Sequence, residues 1–357
     1  MAAPIMVALS GGVDSAVTAL LLKRQGLEVQ ALFMHNWDED AGYCTAAEDF
    51  QDARRVANEL GIVLHRVDFA REYRERVFAG FLADYRAGLT PNPDVLCNRE
   101  IKFGDCLRHA QRLGASRLAT GHYARLVPGP DGVELHKGLD PEKDQSYFLH
   151  AVPRERLAQA LMPLGDLHKS QVRALARESG LPVADKRDST GICFIGERPF
   201  REFLEQYIGH SPGPVRTDSG DEIGTHIGLP FYTLGQRGGI GIGGLKGSSG
   251  EPWYVVAKDS ARNALIVAQG EDHAALLCHR VHTGPINWLG TPPKDREPLA
   301  VRLRYRQPDQ PAVIETEADG LQITPQKPQR AVTPGQSAVI YVGSRCLGGG
   351  VIRRTDI

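Results

Sequence analysis

A short loop near the N-terminus has the residues of an anion-binding turn. Ser10–Ser15 reads SGGVDS, follows the apolar run PIMVAL and opens a helical pattern. Its backbone amides can therefore converge on an anion at the positive end of a helix, where two glycines permit close approach and two serines add hydroxyl donors. The GK[ST] ending of a Walker A loop is missing. The sequence therefore predicts a phosphate-binding loop that is not of the Walker A class.

This hexapeptide resembles the PP-loop signature of the ATP pyrophosphatases, which split ATP into AMP and pyrophosphate while adenylating a substrate. The resemblance implies a pyrophosphate cradle, with Asp14 as a partner of the Mg²⁺ that accompanies ATP. Met34 ends the second apolar strand and Gly121 ends a later one. Both are therefore expected at the carboxyl edge of the sheet, where open α/β sheets bind ligands. His122 is expected to face outward, in a functional or a purely structural role.

Two cysteines lie in segments that could support thiol chemistry. Cys97 follows Asp94 by three residues in PNPDVLCN, where two prolines indicate a rigid, extended loop. If the chain becomes helical after Pro93, the two side chains share a face, and the carboxylate could accept or relay a proton. Cys193 lies in the glycine-punctuated segment DSTGICFIG. Either cysteine alone could be an ordinary buried thiol, but beside an ATP-activating loop the pair indicates sulfur chemistry.

The first 120 residues contain the elements that must position these groups. They alternate β-rich apolar runs with helical patterns, which predicts an α/β domain with a doubly wound parallel sheet. Helices are expected over 13–25, 46–60 and 72–89, with Gly26 and Gly61 at helix ends. A loop is expected at TPNPDVLCNREIKF and a strand within RLATGHYARLV.

The rest of the chain has a different organisation. From about residue 209 glycine and proline become frequent and strands become short, and from 277 alternating runs predict an antiparallel barrel. The predicted domains are a PP-loop catalytic domain (1–208), a small central β-rich domain (209–276) and a C-terminal barrel-like domain (277–357).

The chain of 357 residues is nearly neutral, with 42 Lys plus Arg against 43 Asp plus Glu. This balance excludes a protein that coats nucleic acid non-specifically, because such proteins are strongly basic. Residues 277–357 nevertheless carry 11 basic and 7 acidic residues. Arg302, Arg304 and Arg306 alternate along a predicted strand, so they are expected to share one phosphate-facing side.

With no signal-peptide pattern and no membrane-length apolar run, the expected location is the cytoplasm. The six cysteines form no CxxC pair, so no protein-bound metal is expected.

The order of seven motifs resembles that of the tRNA-specific 2-thiouridylases, the MnmA family: SGGVDS, PNPDVLCNREIKF, ATGHYAR, KDQSYFL, DSTGICFIGER, LGQRGGIGIGG and CLGGGVI. The resemblance covers essentially the whole chain and implies ATP-dependent 2-thiolation of the wobble uridine (position 34) of tRNA. In that reaction uracil O2 is adenylated, sulfur comes from a cysteine persulfide, and AMP and pyrophosphate are released. The implied cofactors are ATP and Mg²⁺. The implied partners are tRNAs for Glu, Gln and Lys and a sulfur-donor protein.

The resemblance also implies a role for each matching residue. Cys97 would be the nucleophile, Cys193 the persulfide carrier and Asp94 the acid/base. The residues implied for ATP are Ala8, Leu9, Ser10, Gly11, Gly12, Val13, Asp14, Ser15, Met34 and Gly121. Those implied around the target base are Asn92, Pro93 and Asp94. Those implied for tRNA are His122, Lys143, Asp144, Gln145, Arg304, Tyr305 and Gln336. The cysteines left without a role are Cys44, Cys106, Cys278 and Cys346.

Two other classes of function stay open on the sequence. Another PP-loop ligase or amidotransferase, such as an argininosuccinate, GMP or lysidine synthetase, needs no cysteine pair. A non-catalytic RNA-binding module would use the nucleotide only to regulate binding. Within the thiolation hypothesis, the Cys193 persulfide either attacks uracil C2 directly or releases sulfide when Cys97 attacks it. Either route can leave a disulfide between the two cysteines.

Overall fold

The first half of the protein is built on a five-stranded parallel sheet. The computed structural model describes residues 3–37, 46–188, 200–242 and 250–357. Its strands up to residue 188 are β1 (Ile5–Ala8), β2 (Val29–His35), β3 (Leu64–Asp68), β4 (Arg117–Ala119), β5 (Ala124–Gly129), β6 (Gly132–Lys137) and β7 (Ala160–Leu161). The sheet order is β3-β2-β1-β4-β7, and every neighbouring pair is parallel. The predicted parallel sheet is confirmed.

Helices cover both faces of this sheet. They are α1 (Val13–Arg24), α2 (Ala46–Leu60), α3 (Ala70–Tyr73), α4 (Ala79–Arg86), α5 (Pro93–Leu96), α6 (Leu107–Arg112), α7 (Ser146–Leu149), α8 (Arg154–Leu157), α9 (Lys169–Glu178) and α10 (Phe200–Glu205). The π-helical turns that join α3 to α4 and α5 to α6 are Arg74–Phe78 and Cys97–Cys106. Alternate residues of a strand face opposite ways, so Ile5 and Val7 pack with α1, α2 and α9, whereas Met6 and Ala8 pack with the helices of residues 70–112. No helix in the described part of the chain is long and apolar enough to cross a membrane.

The segment PNPDVLCNREIKF is helical, so the loop predicted there is wrong from Pro93 onward. The Asn92 side chain accepts a hydrogen bond from Asp94 N at 3.2 Å and is the N-cap of α5. Pro93 occupies the first helical position, where its missing N–H costs nothing, and Asp94 adds negative charge to the first turn. The proline that indicated a loop therefore starts a helix that continues to Arg112.

The segment RLATGHYARLV contains two strands rather than one. β4 ends at Ala119 in the parallel sheet, and β5 begins at Ala124 in a different sheet. β5 and β6 form a hairpin, and β6 pairs with the last strand of the protein. The hairpin thus belongs to the N-terminal part of the chain but completes a sheet of the C-terminal part.

The strands that follow α10 form a central four-stranded sheet, a barrel and a separate two-stranded sheet of β12 and β18. The central sheet has the order β10-β11-β8-β9 and consists of β8 (Gly213–Thr217), β9 (Glu222–His226), β10 (Trp253–Asp259) and β11 (Ala264–Gln269). The remaining strands are β12 (Leu277–Cys278), β13 (Arg280–Thr283), β14 (Asn287–Trp288), β15 (Leu299–Arg302), β16 (Gln310–Glu317), β17 (Gly320–Pro325), β18 (Gln329–Arg330), β19 (Ser337–Val342) and β20 (Arg345–Asp356). Six of them run β13-β17-β16-β15-β19-β20, and pairing of β13 with β20 closes a barrel. The predicted antiparallel barrel is confirmed.

The three alternating arginines of this barrel do not share a strand face, so that prediction is wrong. β15 ends at Arg302, and Leu303 N then donates to the Gln307 side chain at 2.7 Å as the chain turns. Arg304 and Arg306 lie in this turn, and Arg306 has φ +64°. Alternation predicts a common face only where the backbone stays extended.

Candidate active site

The phosphate loop connects β1 to α1 in a fixed shape. Gly12 is the N-cap of α1, and Ser15 Oγ donates to its carbonyl at 3.0 Å. Ser10 N donates to Ser15 Oγ at 3.2 Å, so the buried hydroxyl of Ser15 closes the loop from inside. Gly11 has φ +80°, and a Cβ there would lie 2.2 Å from the carbonyl oxygen of Asp49 in α2. Only glycine fits such a close approach of two backbones.

The residues predicted for ATP meet at one edge of the sheet. Because β1 lies between β2 and β4, the carboxyl ends of these strands bring the loop beside Met34 and Gly121. Met34 is half-buried. Gly121 stands against the first turn of α1, where a Cβ would lie 3.0 Å from both Asp14 C and Ser15 N. The structure therefore gathers residues 8–15, 34 and 121 at one place.

A lysine from a distant helix faces this loop. Lys169 Nζ, on the first turn of α9, lies 2.7 and 2.8 Å from the two carboxylate oxygens of Asp14. Tyr123 Oη donates to Asp14 Oδ1 at 2.7 Å. Burial, followed by the charge of Asp14, raises the pKa of Tyr123 well above its ordinary value, so this hydroxyl remains a donor. The carboxylate of the loop is thus held from two sides.

Asp188 forms ion pairs with three cationic side chains next to the loop. Its carboxylate lies 2.7 Å from Lys169, 2.8 Å from Lys143 and 2.7 Å from Arg173. Partial burial opposes ionisation, but hydrogen bonds from Lys143 and Lys169 outweigh it and lower the pKa of Asp188 to about 2. Asp188 is therefore ionised throughout the ordinary pH range.

Another lysine holds the opposite side of the loop. Lys186 Nζ lies 2.6 Å from Asp49 and 3.3 Å from the Gly11 carbonyl, and it also pairs with Asp52. The side chains at this site that sequence reasoning missed are Tyr123, Lys169, Lys186 and Asp188. The tyrosine and the aspartate stand inside conspicuous motifs (GHYA and DSTGIC), whereas the two lysines stand in no motif.

Asp94 and Cys97 lie three residues apart at the start of one helix, in positions that share a face. Cys97 is 1% exposed. Burial raises the pKa of Asp94, an effect that Lys102 of the same helix partly offsets. Asp94 therefore keeps its proton to a higher pH than an ordinary aspartate, which suits an acid/base group. Cys193 lies outside the residues that the structure describes.

His122 points into the protein, so the expectation that it faces outward is wrong. Its Nδ1 lies 2.8 Å from Thr120 Oγ1, and its ring centroid lies 5.7 Å from that of Phe103. Burial, with a contribution from Lys102, lowers the pKa of His122 well below its ordinary value. The neutral ring connects the carboxyl end of β4 to the helix of Cys97.

The side chains of residues 143, 144 and 145 all contact other parts of the protein. Asp144 is buried, pairs with Arg302 of the barrel at 2.7 Å and accepts hydrogen bonds from the backbone. Gln145 Oε1 accepts from Tyr123 N at 3.0 Å, and Lys143 pairs with Asp188. These contacts join the barrel to the edge of the sheet that carries residues 8–15, 34 and 121.

The remaining residues predicted for tRNA lie on the barrel. Arg304 is exposed, and Tyr305 is half-buried with its ring centroid 4.3 Å from that of Phe148. Gln336 Nε2 donates to Thr90 O at 2.7 Å, just before the helix of Cys97. Of these three side chains, Arg304 is the most exposed.

The other cysteines that the structure describes are buried. Burial raises the pKa of the thiol to about 12 in Cys106, about 11 in Cys278 and about 12 in Cys346. Such thiols are poor nucleophiles near neutral pH. Within the described ranges, no three His, Cys, Asp or Glu side chains are grouped as a metal site would require.

Three family models match successive parts of the chain. They are described as tRNA methyl transferase HUP domain (residues 3–197), tRNA methyl transferase PRC-barrel domain (201–269) and Aminomethyltransferase beta-barrel domain (279–352). The first of these alone spans more than half of the chain.

The chain is also similar along its whole length to proteins named tRNA-specific 2-thiouridylase MnmA. The protein of Ralstonia nicotianae is 55% identical over 356 residues, with 99% of this chain and 96% of the relative covered. That of Leptothrix cholodnii is 55% identical, with 99% and 97% covered. That of Pseudomonas paraeruginosa is 54% identical, with 99% and 95% covered. The chain therefore belongs to the MnmA family of tRNA-specific 2-thiouridylases.

Proposed function

We propose that the protein catalyses ATP-dependent 2-thiolation of the wobble uridine, position 34, of tRNA. The observation that carries the proposal is the packing of the Cys97 helix against the ATP edge. Phe103, further along that helix, packs its ring 5.7 Å from the ring of His122, which directly follows Gly121. The predicted nucleophile and the predicted nucleotide site thus belong to one region of the protein.

ATP fits the loop through the chemistry of its groups. The amides at the start of α1, the exposed Ser10 hydroxyl and the ammonium groups of Lys169 and Lys186 supply the donors and positive charge that a triphosphate needs. Asp14 adds one carboxylate to this set. That suits Mg²⁺, which is held mainly by nucleotide phosphates and water with one or two carboxylates. We place ATP against residues 8–15, 34 and 121, and Mg²⁺ at Asp14.

Adenylation explains why thiolation needs ATP. Uracil O2 is a poor leaving group, whereas transfer of AMP from ATP to O2 releases pyrophosphate and makes AMP the leaving group. The wobble base must leave its stack to reach the site, at a cost of a few kcal/mol. Asn92, Pro93 and Asp94 at the start of the helix would surround it. Asp94, whose raised pKa favours the protonated form, would hold or move a proton there.

Two cysteines supply the two electrons that sulfur transfer requires. In one route the terminal sulfur of the Cys193 persulfide attacks C2 and expels AMP, after which Cys97 attacks Sγ of Cys193 and frees the thiouridine. In the other route Cys97 attacks Cys193 first and releases sulfide, which then attacks C2. Both routes reduce the transferred sulfur and oxidise the two thiols to a disulfide. A thiol reductant would reset the pair, and a sulfur-donor protein would reload Cys193.

We propose that tRNA binds the barrel side of the site. Arg304 and Tyr305 would contact it directly, in a part of the chain where basic residues outnumber acidic ones by 11 to 7. The other residues matched to tRNA contacts have side chains that are engaged inside the protein, and we assign them to holding this surface: His122, Lys143, Asp144, Gln145 and Gln336.

Nucleoside mass spectrometry tests the proposal directly. Unmodified tRNAs for Glu, Gln and Lys are incubated with the protein, ATP, Mg²⁺ and sulfide or a persulfide donor. The expected product is 2-thiouridine at the wobble position, with one AMP and one pyrophosphate per base modified. Adenylation of a substrate other than tRNA, or thiolation at another position, would overturn the assignment.

A further inference from the structure

The residues just before the Cys97 helix are bound by a turn of the barrel. Thr90 N donates to Pro334 O at 3.0 Å, and Thr90 O accepts from Gln336 Nε2 at 2.7 Å. Both backbone hydrogen-bonding groups of Thr90 are therefore used by one short segment. We call residues 333–336, between β18 and β19, the barrel turn. It contacts the chain two residues before Asn92, the N-cap of the catalytic helix.

Gly335 permits this contact. It has φ +95°, and a Cβ there would lie 2.7 Å from Thr90 N and 2.9 Å from Thr90 C. No side chain can be placed at that distance from a backbone without moving it. The turn is itself fixed, because Gly335 N donates to Ile352 O at 2.9 Å and Ile352 N donates to Gln336 O at 2.8 Å. Thr90 thus rests on backbone that is hydrogen-bonded into β20.

The central sheet holds the same segment from another direction. Lys258 Nζ, on β10, donates to Gly88 O at 3.0 Å. Residues 88–90 are therefore attached to the central sheet and to the barrel turn. From Thr90 the chain passes through the buried Pro91 and enters the helix at Pro93. Prolines leave few backbone torsions free, so a displacement of Thr90 moves the first helical turn as well.

We propose that Gly335 and Gln336 are positioning residues for Asp94 and Cys97, acting through Thr90. The inference rests on the proposed function only in taking Asp94 and Cys97 as reacting groups. It gives Gln336 a role inside the protein that needs no contact with tRNA. The proposal also makes the barrel part of the catalytic apparatus, because the barrel turn fixes the position of the first turn of the Cys97 helix.

The test compares two glycine variants of the full-length protein. Gly335→Ala pushes a methyl group against Thr90. Gly343→Ala is the matched control, because Gly343 also has positive φ (+58°), lies in the same barrel and has nothing within 4 Å of an added Cβ. Both variants carry left-handed strain, but only the first moves the catalytic helix.

Two measurements are made on each variant. Hydrogen exchange of the free protein, without tRNA or ATP, is followed at Thr90, Asn92 and the amides from Asp94 to Cys97. We expect Gly335→Ala to raise exchange there about tenfold or more, while residues 107–112 at the far end of the helix stay protected. Thiolation at saturating tRNA should fall roughly tenfold to a hundredfold, as expected for a displaced reacting group. The Gly343→Ala variant should match the unsubstituted protein in both measurements.

Gln336→Glu keeps the test valid if Gly335→Ala fails to fold. It removes the donor to Thr90 O without backbone strain, and exchange at residues 90–97 should rise in the free protein. A residue that acts only by touching tRNA would raise KM for tRNA and leave this exchange unchanged. Normal exchange at 90–97 with normal kcat in both variants would overturn the inference. If unsubstituted protein does not thiolate tRNA, the proposed function fails, and the exchange result still decides whether the barrel turn positions the helix.

Discussion

Lys169 and Asp14 form a two-point ion pair at the Ser10–Ser15 loop, with Nζ 2.7 and 2.8 Å from the two carboxylate oxygens. The two residues are 155 positions apart in the sequence. The same ammonium group lies 2.7 Å from Asp188, so one lysine joins the loop to the residues that precede the Cys193 segment. The ammonium group of this pair lies where the phosphates of ATP are proposed to bind.

Replacement of Lys169 should weaken ATP binding. Lys169→Met removes a charged hydrogen-bond donor, and such bonds contribute about 1.5–3 kcal/mol, so the Kd for ATP should rise roughly tenfold to a hundredfold. Lys169→Arg should recover part of the affinity. Isothermal titration calorimetry without tRNA measures the effect, and Lys294→Met, an exposed lysine of the barrel, is the control. An unchanged Kd in Lys169→Met would show that this lysine takes no part in nucleotide binding.

Replacement of Asp94 by asparagine should abolish thiolation but make the folded protein more stable at pH 7. Because burial raises the pKa of Asp94 in the folded protein, the native state binds a proton more tightly than the unfolded chain does. Stability therefore falls as pH rises from the ordinary value of 3.8 through the raised pKa. Asp94→Asn has no charge to bury, so it should unfold at higher urea concentration than the unsubstituted protein at pH 7, with a smaller difference toward pH 4. Thiolation should be lost while ATP binding persists. Lower stability of Asp94→Asn at pH 7 would contradict this account.

The two neighbouring arginines of the barrel should behave differently. Arg302→Met leaves the buried carboxylate of Asp144 without its ion-pair partner, which should cost about 3–5 kcal/mol of unfolding free energy. Arg304 is exposed, so Arg304→Met should change stability by less than about 0.5 kcal/mol. It should instead weaken tRNA binding and lower the salt dependence of log Kd by about one. Urea unfolding and filter binding at several salt concentrations measure the two effects. Equal stability of the two variants would be incompatible with the Arg302–Asp144 contact.

Cysteine substitutions should identify the two reacting thiols. Cys97→Ser and Cys193→Ser should each abolish thiolation and leave ATP and tRNA binding intact. Cys278→Ala is the control, because burial raises the pKa of that thiol to about 11 and it packs in the barrel core. After one turnover without reductant, the unsubstituted protein should contain a Cys97–Cys193 disulfide, detected by peptide mass spectrometry. Retained turnover in either serine variant would rule out the two-cysteine mechanism.

The parts of the fold that short segments encode were predictable from the sequence. α1 starts at Val13 as expected, and α2 covers the predicted residues 46–60. Gly26 and Gly61 have φ of +76° and +59°, the left-handed conformation that ends a helix. Each of these signals acts over a few residues, so no knowledge of the rest of the chain is needed. The meeting of residues 8–15, 34 and 121 at one edge of the sheet was also expected, because an open α/β sheet brings the carboxyl ends of its strands together. That ATP binds there stays a prediction.

The errors arose where distant residues decide the structure. The prolines of PNPDVLCN are compatible with a loop and also with the start of a helix at Pro93. Packing against the rest of the domain determines which of the two forms. His122 turns inward because Phe103 and Thr120 offer it contacts that no periodicity reveals. Lys169 stands in no motif and reaches Asp14 only through the packing of α9 beside α1. Residues of this kind require the three-dimensional structure.

The β5–β6 hairpin has a consequence for folding during synthesis. β6 pairs with β20 at His136 with Arg345 and at Leu135 with Cys346, so its partner leaves the ribosome about 200 residues later. At 5–20 residues per second that delay is roughly 10 to 40 s, whereas a hairpin forms in about 1–10 μs. Throughout the delay one edge of the hairpin has unpaired N–H and C=O groups that can pair with other nascent chains. The hairpin therefore reaches its final partner only after β20 has been synthesised, and aggregation of unfinished chains is the hazard that this connection introduces.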